Sequence, residues 1–263
     1  MATWRTLAAS VRGSGHERQG LPCQDAYAWD VWDVASVPVL VAAVADGAGT
    51  ALRGELGAAE AVRAAVAAMR RDLGGGPPTS LAAWHDLLTA AVEEARQAVD
   101  AAAATASLQP RDLATTLILT ACTPEGVFAV QVGDGAAVAG AADGAWHAVT
   151  RPVAGEYANE TIFLCSPHAV ETAQRGAWEG PVAAVAAFSD GLQRLALKLP
   201  EGAPHAPFFA PLCRFLERLP AAADGRPALE AFLTSPRLRE RSDDDCTLVL
   251  ALCQAAENAV AAQ

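Results

Sequence analysis

The sequence has few basic residues and few aromatic residues for its length. Of its 263 residues, 19 are Lys or Arg and 30 are Asp or Glu, which gives a formal net charge of -11, and only 6% are aromatic. Proteins that bind nucleic acid by neutralising phosphates need a concentrated basic surface, whereas the basic residues here are scattered. The composition therefore excludes nucleic acid as an expected partner.

The sequence also lacks a long apolar run and a cysteine framework. Its longest strongly apolar stretch, residues 37–45, is far too short to span a bilayer, and no apolar segment follows a basic start at the N-terminus. The six cysteines are dispersed without a C-x-x-C pair, which favours reduced thiols. We therefore expect a cytoplasmic monomer without a membrane partner.

Apolar residues, by contrast, are abundant. Hydrophobic residues make up 52% of the chain and charged residues only 19%, a balance that excludes intrinsic disorder and supplies an ample core. No Gly-rich linker separates two cores. We therefore predict one domain over residues 1–263, with a peripheral tail at about residues 254–263.

Hydrophobic periodicity predicts an α+β fold in which helices pack on sheets. Strands are predicted at residues 3–11, 26–32, 37–45, 115–122, 127–132, 136–140, 146–150, 161–164, 182–188 and 246–253. Helices are predicted at residues 55–72, from Thr79 or Ser80 to about 108, at 207–219 and at 227–233, and residues 13–23 are predicted to form a loop.

Acidic residues stand at the ends of these predicted strands, and all but Asp25 lie beside Gly or another acid. They are Asp25 at the start of the second strand, Asp46, Asp134 and Asp190 after buried strands, and Asp244 and Asp245 before the last strand. One Asp-Gly pair, such as Asp143-Gly144, is ordinary turn chemistry. Several carboxylates at one rim would repel each other unless a hard divalent cation lay between them, so the ordered set predicts a metal site.

The ordered set resembles the metal-dependent type 2C protein Ser/Thr phosphatases, the PPM family, and especially their compact bacterial members. The resemblance runs from about Gly13 to Leu252. The motifs that carry it are Gln24-Asp25, Asp46-Gly47-Ala48-Gly49, Val132-Gly133-Asp134, Phe188-Ser189-Asp190-Gly191-Leu192 and Asp244-Asp245-Cys246-Thr247, with further support from residues 20–25 and 155–161.

The resemblance implies two stacked antiparallel β-sheets flanked by helices, an αββα sandwich, with two Mn²⁺ or Mg²⁺ ions at one edge. Asp46 would bridge both ions and the Gly47 carbonyl would bind one of them. Asp190 and Asp244 would bind the other ion, and Asp25 would act through metal-bound water. The resemblance thus makes Asp46, Asp190 and Asp244 the catalytic residues.

The resemblance also implies the reaction. A hydroxide bridging the two ions would attack the phosphorus of phosphoserine or phosphothreonine in a protein substrate, without a phosphoenzyme. Asp134 matches the family's Gly-Asp motif and would help to hold a third, weaker ion. The chain would then be a bacterial hydrolase that acts in signalling by dephosphorylation.

Several positions depart from the family pattern. Gln24 stands where Glu is frequent, and Gly20 stands where many members have a phosphate-binding Arg, so we name Arg18 and His16 as substitute substrate-binding residues. Ala48 replaces a His proposed as general acid in some members. Asp245 follows the last metal-binding acid, where Asn is common, and adds a charge.

These departures keep two alternatives open. The fold could serve as a catalytically weak binding module that reads a phosphorylated partner. Residues 46–50 could also pass for the Asp-x-Gly-x-Gly of a histidine-kinase-type ATP site, although no companion Asn helix precedes them.

Overall fold

The computed structural model describes residues 2–152, 161–220 and 224–255 of the chain. The strands are β1 (Ala2–Val11), β2 (Asp25–Val34), β3 (Val37–Asp46), β4 (Leu117–Thr123), β5 (Gly126–Val132), β6 (Ala136–Ala141), β7 (Trp146–Ala148), β8 (Gln174–Glu179), β9 (Val182–Phe188), β10 (Leu197–Lys198), β11 (Ala203–Pro204) and β12 (Cys246–Ala255). The α-helices are α1 (Ser14–Gln19), α2 (Gly54–Asp72), α3 (Leu81–Thr105), α4 (Gln193–Ala196), α5 (Ala206–Arg218), α6 (Arg226–Leu233) and α7 (Pro236–Arg239).

Two five-stranded antiparallel sheets form the centre of the fold. One sheet has the strand order β1-β12-β9-β6-β7 and the other has the order β2-β3-β4-β5-β8. The hairpin predicted around residues 123–126 joins β4 to β5, and the one around Asp143-Gly144 joins β6 to β7. A consequence of the antiparallel pairing is that chain reversals gather at both ends of each sheet.

The sheets face each other across a layer of small and medium apolar side chains, including Leu40, Ile118 and Val249. The outer face of the second sheet packs against α2 and α3, where Trp84 stacks on Phe128 with ring centroids 4.7 Å apart. The outer face of the first sheet packs against α5 and α6. The predicted αββα sandwich is confirmed.

The helix α3 begins where the sequence indicates. The Ser80 hydroxyl accepts a hydrogen bond from the N–H of Ala83 at 3.2 Å, which satisfies one of the free donors of the first turn. Ser80, rather than Thr79, is therefore the N-cap.

Three local predictions were wrong. The predicted loop at residues 13–23 contains α1, which ends at Gly20 with a left-handed φ of 69°. Residues 161–164 do not form a strand. The strand at the edge of the second sheet, beside β5, is β8, which the sequence analysis missed. Gln254 and Ala255, assigned to the tail, are the last residues of β12 and pair with β1, whereas residues 256–263 lie outside the described part.

Two further findings concern the predictions about membranes and thiols. None of the helices in the described ranges is both long and apolar enough to cross a bilayer. All six cysteines are free thiols, of which Cys122 and Cys246 are buried.

Candidate metal centre

The structure brings the predicted acids to one edge of both sheets. Asp25 and Asp46 face each other in the β2–β3 register. Asp190 lies two residues after the end of β9, Asp244 lies two residues before the start of β12, and these strands are neighbours in the other sheet. Asp134 lies between β5 and β6, which belong to different sheets. We call these five residues the acidic cluster.

Asp46 is positioned through its backbone. Its N–H donates to the Thr116 hydroxyl at 3.0 Å, and its carbonyl accepts from the Thr115 hydroxyl at 3.0 Å and the Thr116 N–H at 2.8 Å. The carboxyl group is left to the cluster, where it comes within hydrogen-bond reach of Asp190. The two threonines just before β4 therefore fix the residue expected to bridge two ions.

Gly47 allows a close approach that a side chain would block. A Cβ atom there would lie 2.4 Å from the backbone carbonyl carbon of Gly54, at the start of α2. The Gly47 N–H donates to the Gln24 carbonyl at 3.1 Å. Among the described residues no hydrogen bond is donated to the Gly47 carbonyl, so this oxygen is available as a ligand.

Asp25 is buried and only half satisfied. Its side chain is 8% exposed, and Oδ2 accepts a hydrogen bond from the Ser189 hydroxyl at 2.6 Å. Ser189 in turn accepts from the Thr247 N–H at 3.0 Å, so it links β9 and β12 to Asp25. Within the described ranges, Oδ1 of Asp25 has no hydrogen-bond partner. Ser189 was not predicted as a site residue, because only the fold brings it to Asp25.

Asp190 and Asp244 form the side of the cluster that belongs to the first sheet. Oδ1 of Asp190 is buried and lacks a hydrogen-bond partner in the described part of the chain. A Cβ atom on Gly191 would lie 2.0 Å from the Asp245 carbonyl oxygen, so this glycine lets the turn after β9 lie against the start of β12. Oδ1 of Asp244 accepts from the Asp245 N–H at 2.8 Å.

Asp134 completes the cluster from the connection between the sheets. Its Oδ2 accepts from the Thr161 hydroxyl at 2.8 Å, and its carbonyl accepts from Nε2 of Gln193 at 2.6 Å. Its charge helps to raise the pKa of Asp190. The other residues of the motif at 155–161 lie outside the described part of the chain.

Burial and mutual repulsion favour the protonated forms of these acids. Burial, more than any other cause, raises the pKa of Asp25 to about 8, although the hydrogen bond from Ser189 lowers it. Burial and then the neighbouring carboxylates raise the pKa of Asp46 well above its ordinary value and that of Asp190 to about 6. Burial also raises the pKa of Asp244. The arrangement is thus unfavourable for four carboxylates without a counter-charge.

The residues present fit hard divalent cations. The cluster offers carboxylate oxygens and a free backbone carbonyl, the ligands that Mg²⁺ and Mn²⁺ prefer. Two of these carboxylate oxygens, on Asp25 and Asp190, are buried without a hydrogen-bond donor from the described residues. Such oxygens are costly unless something positive meets them, so bound cations would relieve both the desolvation and the repulsion.

Asp245 lies beside this cluster, and its carboxylate holds a loop. Its side chain is 2% exposed; Oδ1 accepts from the Gly13 N–H at 2.7 Å and Oδ2 from the Gln24 N–H at 2.6 Å. Nδ1 of His16 lies 3.0 Å from Oδ2, without the alignment of a hydrogen bond. We call Asp245 with these three partners the loop anchor. The charge that Asp245 adds is felt in the cluster, where it helps to raise the pKa of Asp25 and of Asp244, although both of its oxygens are committed to backbone amides.

The two predicted substrate-binding residues lie in different surroundings. His16 is near the cluster, where one atom each from His16, Asp244 and Asp245 lie within 4.8 Å of one another. Arg18 lies on the surface and forms an ion pair with Asp243 at 2.9 Å. The geometry therefore favours His16 over Arg18 as a group that could meet a phosphate.

Comparison with known proteins decides the family. The model of the family described as protein phosphatase 2C matches residues 12–234. The chain is also 40% identical over 256 residues to serine/threonine-protein phosphatase 3 of Escherichia coli (strain K12), which covers 95% of this chain and 98% of that protein. The chain belongs to the protein phosphatase 2C family. As a member, it is a metal-dependent Ser/Thr protein phosphatase, as the motifs predicted.

Solved structures share the fold of this phosphatase 2C family member. The catalytic domain of the serine/threonine protein phosphatase PstP, in complex with two manganese ions, matches with a TM-score of 0.56 and 20% identity, covering 97% of this chain and 100% of that one. The phosphatase Stp1 from Staphylococcus aureus matches with a TM-score of 0.61 and 14% identity, covering 95% of each chain. Family and neighbours together support the use of a divalent metal.

Proposed function

We propose that this phosphatase 2C family member hydrolyses phosphoserine and phosphothreonine in proteins with two divalent ions, Mn²⁺ or Mg²⁺, held by the acidic cluster. We also propose that it acts as a monomeric, cytoplasmic enzyme whose 263 residues form one catalytic domain. The convergence of the acids, with buried oxygens on Asp25 and Asp190 that have no donor in the described part, carries the proposal.

Each residue of the cluster has a proposed role. Asp46 pairs with Asp25 across β2 and β3, and its carboxyl group comes within hydrogen-bond reach of Asp190 from the other sheet. This position between the two sheets suits a ligand that both ions share. The free carbonyl oxygen of Gly47 would be a further ligand of one of these two ions. Asp190 and Asp244 would hold the ion on the other side.

Asp25 and Asp134 have supporting roles in the proposal. Asp25, fixed by Ser189, would act on an ion through water, and its unpartnered Oδ1 is the oxygen that would accept from that water. Asp134 borders Asp190 and would contribute to a third, weaker site.

The chemistry expected of such a centre is electrostatic. Two bound ions lower the pKa of water and neutralise phosphate oxygens. The chain's own residues hold the acids in place and leave Oδ1 of Asp25 and Oδ1 of Asp190 without a hydrogen-bond donor from the described residues. With Asp46 fixed by the two threonines just before β4, little rearrangement is needed when the substrate arrives, which is the condition for electrostatic catalysis.

His16 is the residue that we propose to bind the substrate phosphate. Its ring lies close to Asp244 and Asp245, with Nδ1 3.0 Å from Oδ2 of Asp245, in the segment where many family members are expected to carry an Arg. Ala48 is 6% exposed and carries no proton donor, so the structure offers no substitute general acid at that position.

The test is hydrolysis of a phosphothreonine peptide with added Mn²⁺. We expect Asp46→Asn and Asp190→Asn to lower kcat/KM by at least about 100-fold, because each would remove an anionic metal ligand. Asp143→Asn is the matched control: it also precedes a glycine, but it lies in the β6–β7 turn, where, among the described residues, its carboxylate accepts only from the Ala145 N–H at 2.9 Å.

Equal rates in all four proteins would refute the assigned ligands. Tight phosphopeptide binding without turnover under any divalent metal would instead support the weak binding module, and rapid turnover would exclude it.

A further inference from the structure

An open cavity of about 550 Å³ adjoins the acidic cluster. Asp190 and Asp244 form part of its wall, which continues over Gln193 and Arg194 of α4 and over residues 239–243 between α7 and β12. Because the cavity shares two acids with the cluster, the neighbours of a phosphorylated residue bound at the cluster have direct access to it. We call it the side cavity.

The side cavity is lined by charged and polar groups, and Leu199 is the one large apolar side chain in its described wall. Such a lining suits a charged peptide better than an apolar one. Selectivity would come from ion pairs and hydrogen bonds, because there is little apolar area to bury.

Three arginines line the side cavity, and one of them is already engaged. Arg239 binds both carboxylate oxygens of Glu17, at 2.7 and 3.0 Å, and so ties α7 to α1. Arg194 and Arg241 are exposed, and neither forms an ion pair with a carboxylate in residues 2–152, 161–220 or 224–255. These two guanidinium groups are therefore free to bind a ligand.

Three of the four acids in the same wall already have partners or belong to the acidic cluster. Asp243 is held by Arg18, and Asp190 and Asp244 belong to the acidic cluster. Glu240 is the remaining acid in the described wall, so two free guanidinium groups stand against one free carboxylate. The described wall holds four acids and three arginines in all, but apart from the two acids of the cluster its free charged groups are mainly basic, in a chain whose net charge is -11.

We propose that Arg194 and Arg241 select protein substrates that carry an acidic side chain next to the phosphorylated Ser or Thr. The planar guanidinium group matches a carboxylate with two parallel hydrogen bonds, which gives direction as well as attraction. The proposal rests on the proposed function, since it assigns the substrate class of the same site.

The test compares two phosphothreonine peptides that differ only in having Glu or Gln at the flanking positions. We expect wild type to prefer the Glu peptide in kcat/KM by about three- to tenfold at low salt, the range for two exposed ion pairs acting together. In the double variant Arg194→Gln/Arg241→Gln this ratio falls to about one. Arg237→Gln is the control, because Arg237 is exposed on α7 but does not line the cavity, and it keeps the wild-type ratio.

The preference should also shrink as salt screens the ion pairs. A second readout needs no turnover: calorimetric titration with the unphosphorylated Glu and Gln peptides, in which wild type binds the Glu peptide more tightly and the double variant does not.

The outcomes separate this proposal from the proposed function. If wild type hydrolyses the Glu and Gln peptides with equal kcat/KM, the proposed substrate selection is overturned. Hydrolysis of p-nitrophenyl phosphate by the same protein would show that the phosphatase activity itself stands. If no substrate is turned over with Mn²⁺, the proposed function fails, and the titration alone decides whether the arginines recognise acidic peptides. A Glu preference that survives in the double variant would also overturn the proposal.

Discussion

The acidic cluster and the loop anchor lie side by side, yet their buried carboxylates have opposite surroundings. In the cluster, Oδ1 of Asp25 and Oδ1 of Asp190 have no hydrogen-bond donor within the described ranges. In the anchor, both oxygens of Asp245 accept short hydrogen bonds from backbone amides. Burial alone does not distinguish them, since Asp25 is 8% and Asp245 2% exposed.

The difference shows two uses of a buried acid. A carboxylate whose oxygens are satisfied by the protein stabilises the fold and has little left to offer a ligand. A carboxylate left unsatisfied destabilises the fold and keeps its oxygens for a cation. The anchor also holds the segment that leads into Asp25, so the stabilising region positions the destabilised one.

The first prediction, which has the largest expected effect, concerns how the free energy of unfolding depends on pH with and without bound metal. An acid with a raised pKa in the folded state keeps its proton longer than in the unfolded chain, so its contribution favours folding at low pH and is lost as pH rises. The pKa of Asp25 is raised to about 8 and that of Asp190 to about 6. The free energy of unfolding of the metal-free protein should therefore fall by several kcal/mol between about pH 5 and pH 8.

Urea unfolding in EDTA at pH 5, 6, 7 and 8 measures this fall, and saturating Mn²⁺ is its control. Because cations bind the deprotonated carboxylates, added Mn²⁺ should cancel the fall and stabilise the protein more at pH 8 than at pH 5. A flat profile in EDTA would show that the cluster is not strained without metal.

The second prediction concerns the loop anchor. Asp245→Ala leaves the amides of Gly13 and Gln24 buried without an acceptor, so we expect a loss of about 2–4 kcal/mol in the free energy of unfolding, with or without metal. Asp245→Asn should lose about half as much, because an amide oxygen can replace only one of the two acceptors.

Asp243→Ala is the matched control for the anchor. Asp243 is the exposed partner of Arg18, and its removal should change the free energy of unfolding by less than about 0.5 kcal/mol. If Asp245→Ala were as mild as this control, the anchor would have no special role in stability.

The same contrast explains what could be predicted from the sequence. The cluster was predictable because each acid sits at the end of an apolar strand, and an antiparallel sandwich gathers such ends at one edge. The fold class followed from the same strands and from the family resemblance. Asp46 and Asp190 needed no knowledge of side-chain contacts, only of where strands stop.

The loop anchor was not predictable, because Asp245 accepts from backbone amides, of Gly13 and Gln24, and no residue type in the sequence marks a backbone amide as a partner. The short helix α1 was hidden by its Gly-rich flanks. The strand predicted at residues 161–164 failed because the Leu164 N–H bonds to the Thr115 carbonyl at 2.9 Å, outside any ladder.

The third prediction has the smallest expected effect when it is measured at pH 5, and it has the opposite sign. Asp25→Asn keeps an oxygen that can accept the hydrogen bond from Ser189, but it removes a group that must either ionise in a buried site or hold its proton above its ordinary pKa. In EDTA at pH 5, about one unit above the ordinary pKa of Asp, the variant should be more stable than wild type by about 1 kcal/mol. The gain should grow towards pH 8 and vanish in saturating Mn²⁺, where wild type regains its counter-charge.

Urea unfolding of wild type and Asp25→Asn, in EDTA and in saturating Mn²⁺, measures this difference in stability. Destabilisation by Asp25→Asn in EDTA would mean that the protein itself satisfies Asp25, and the contrast with Asp245 would then be lost.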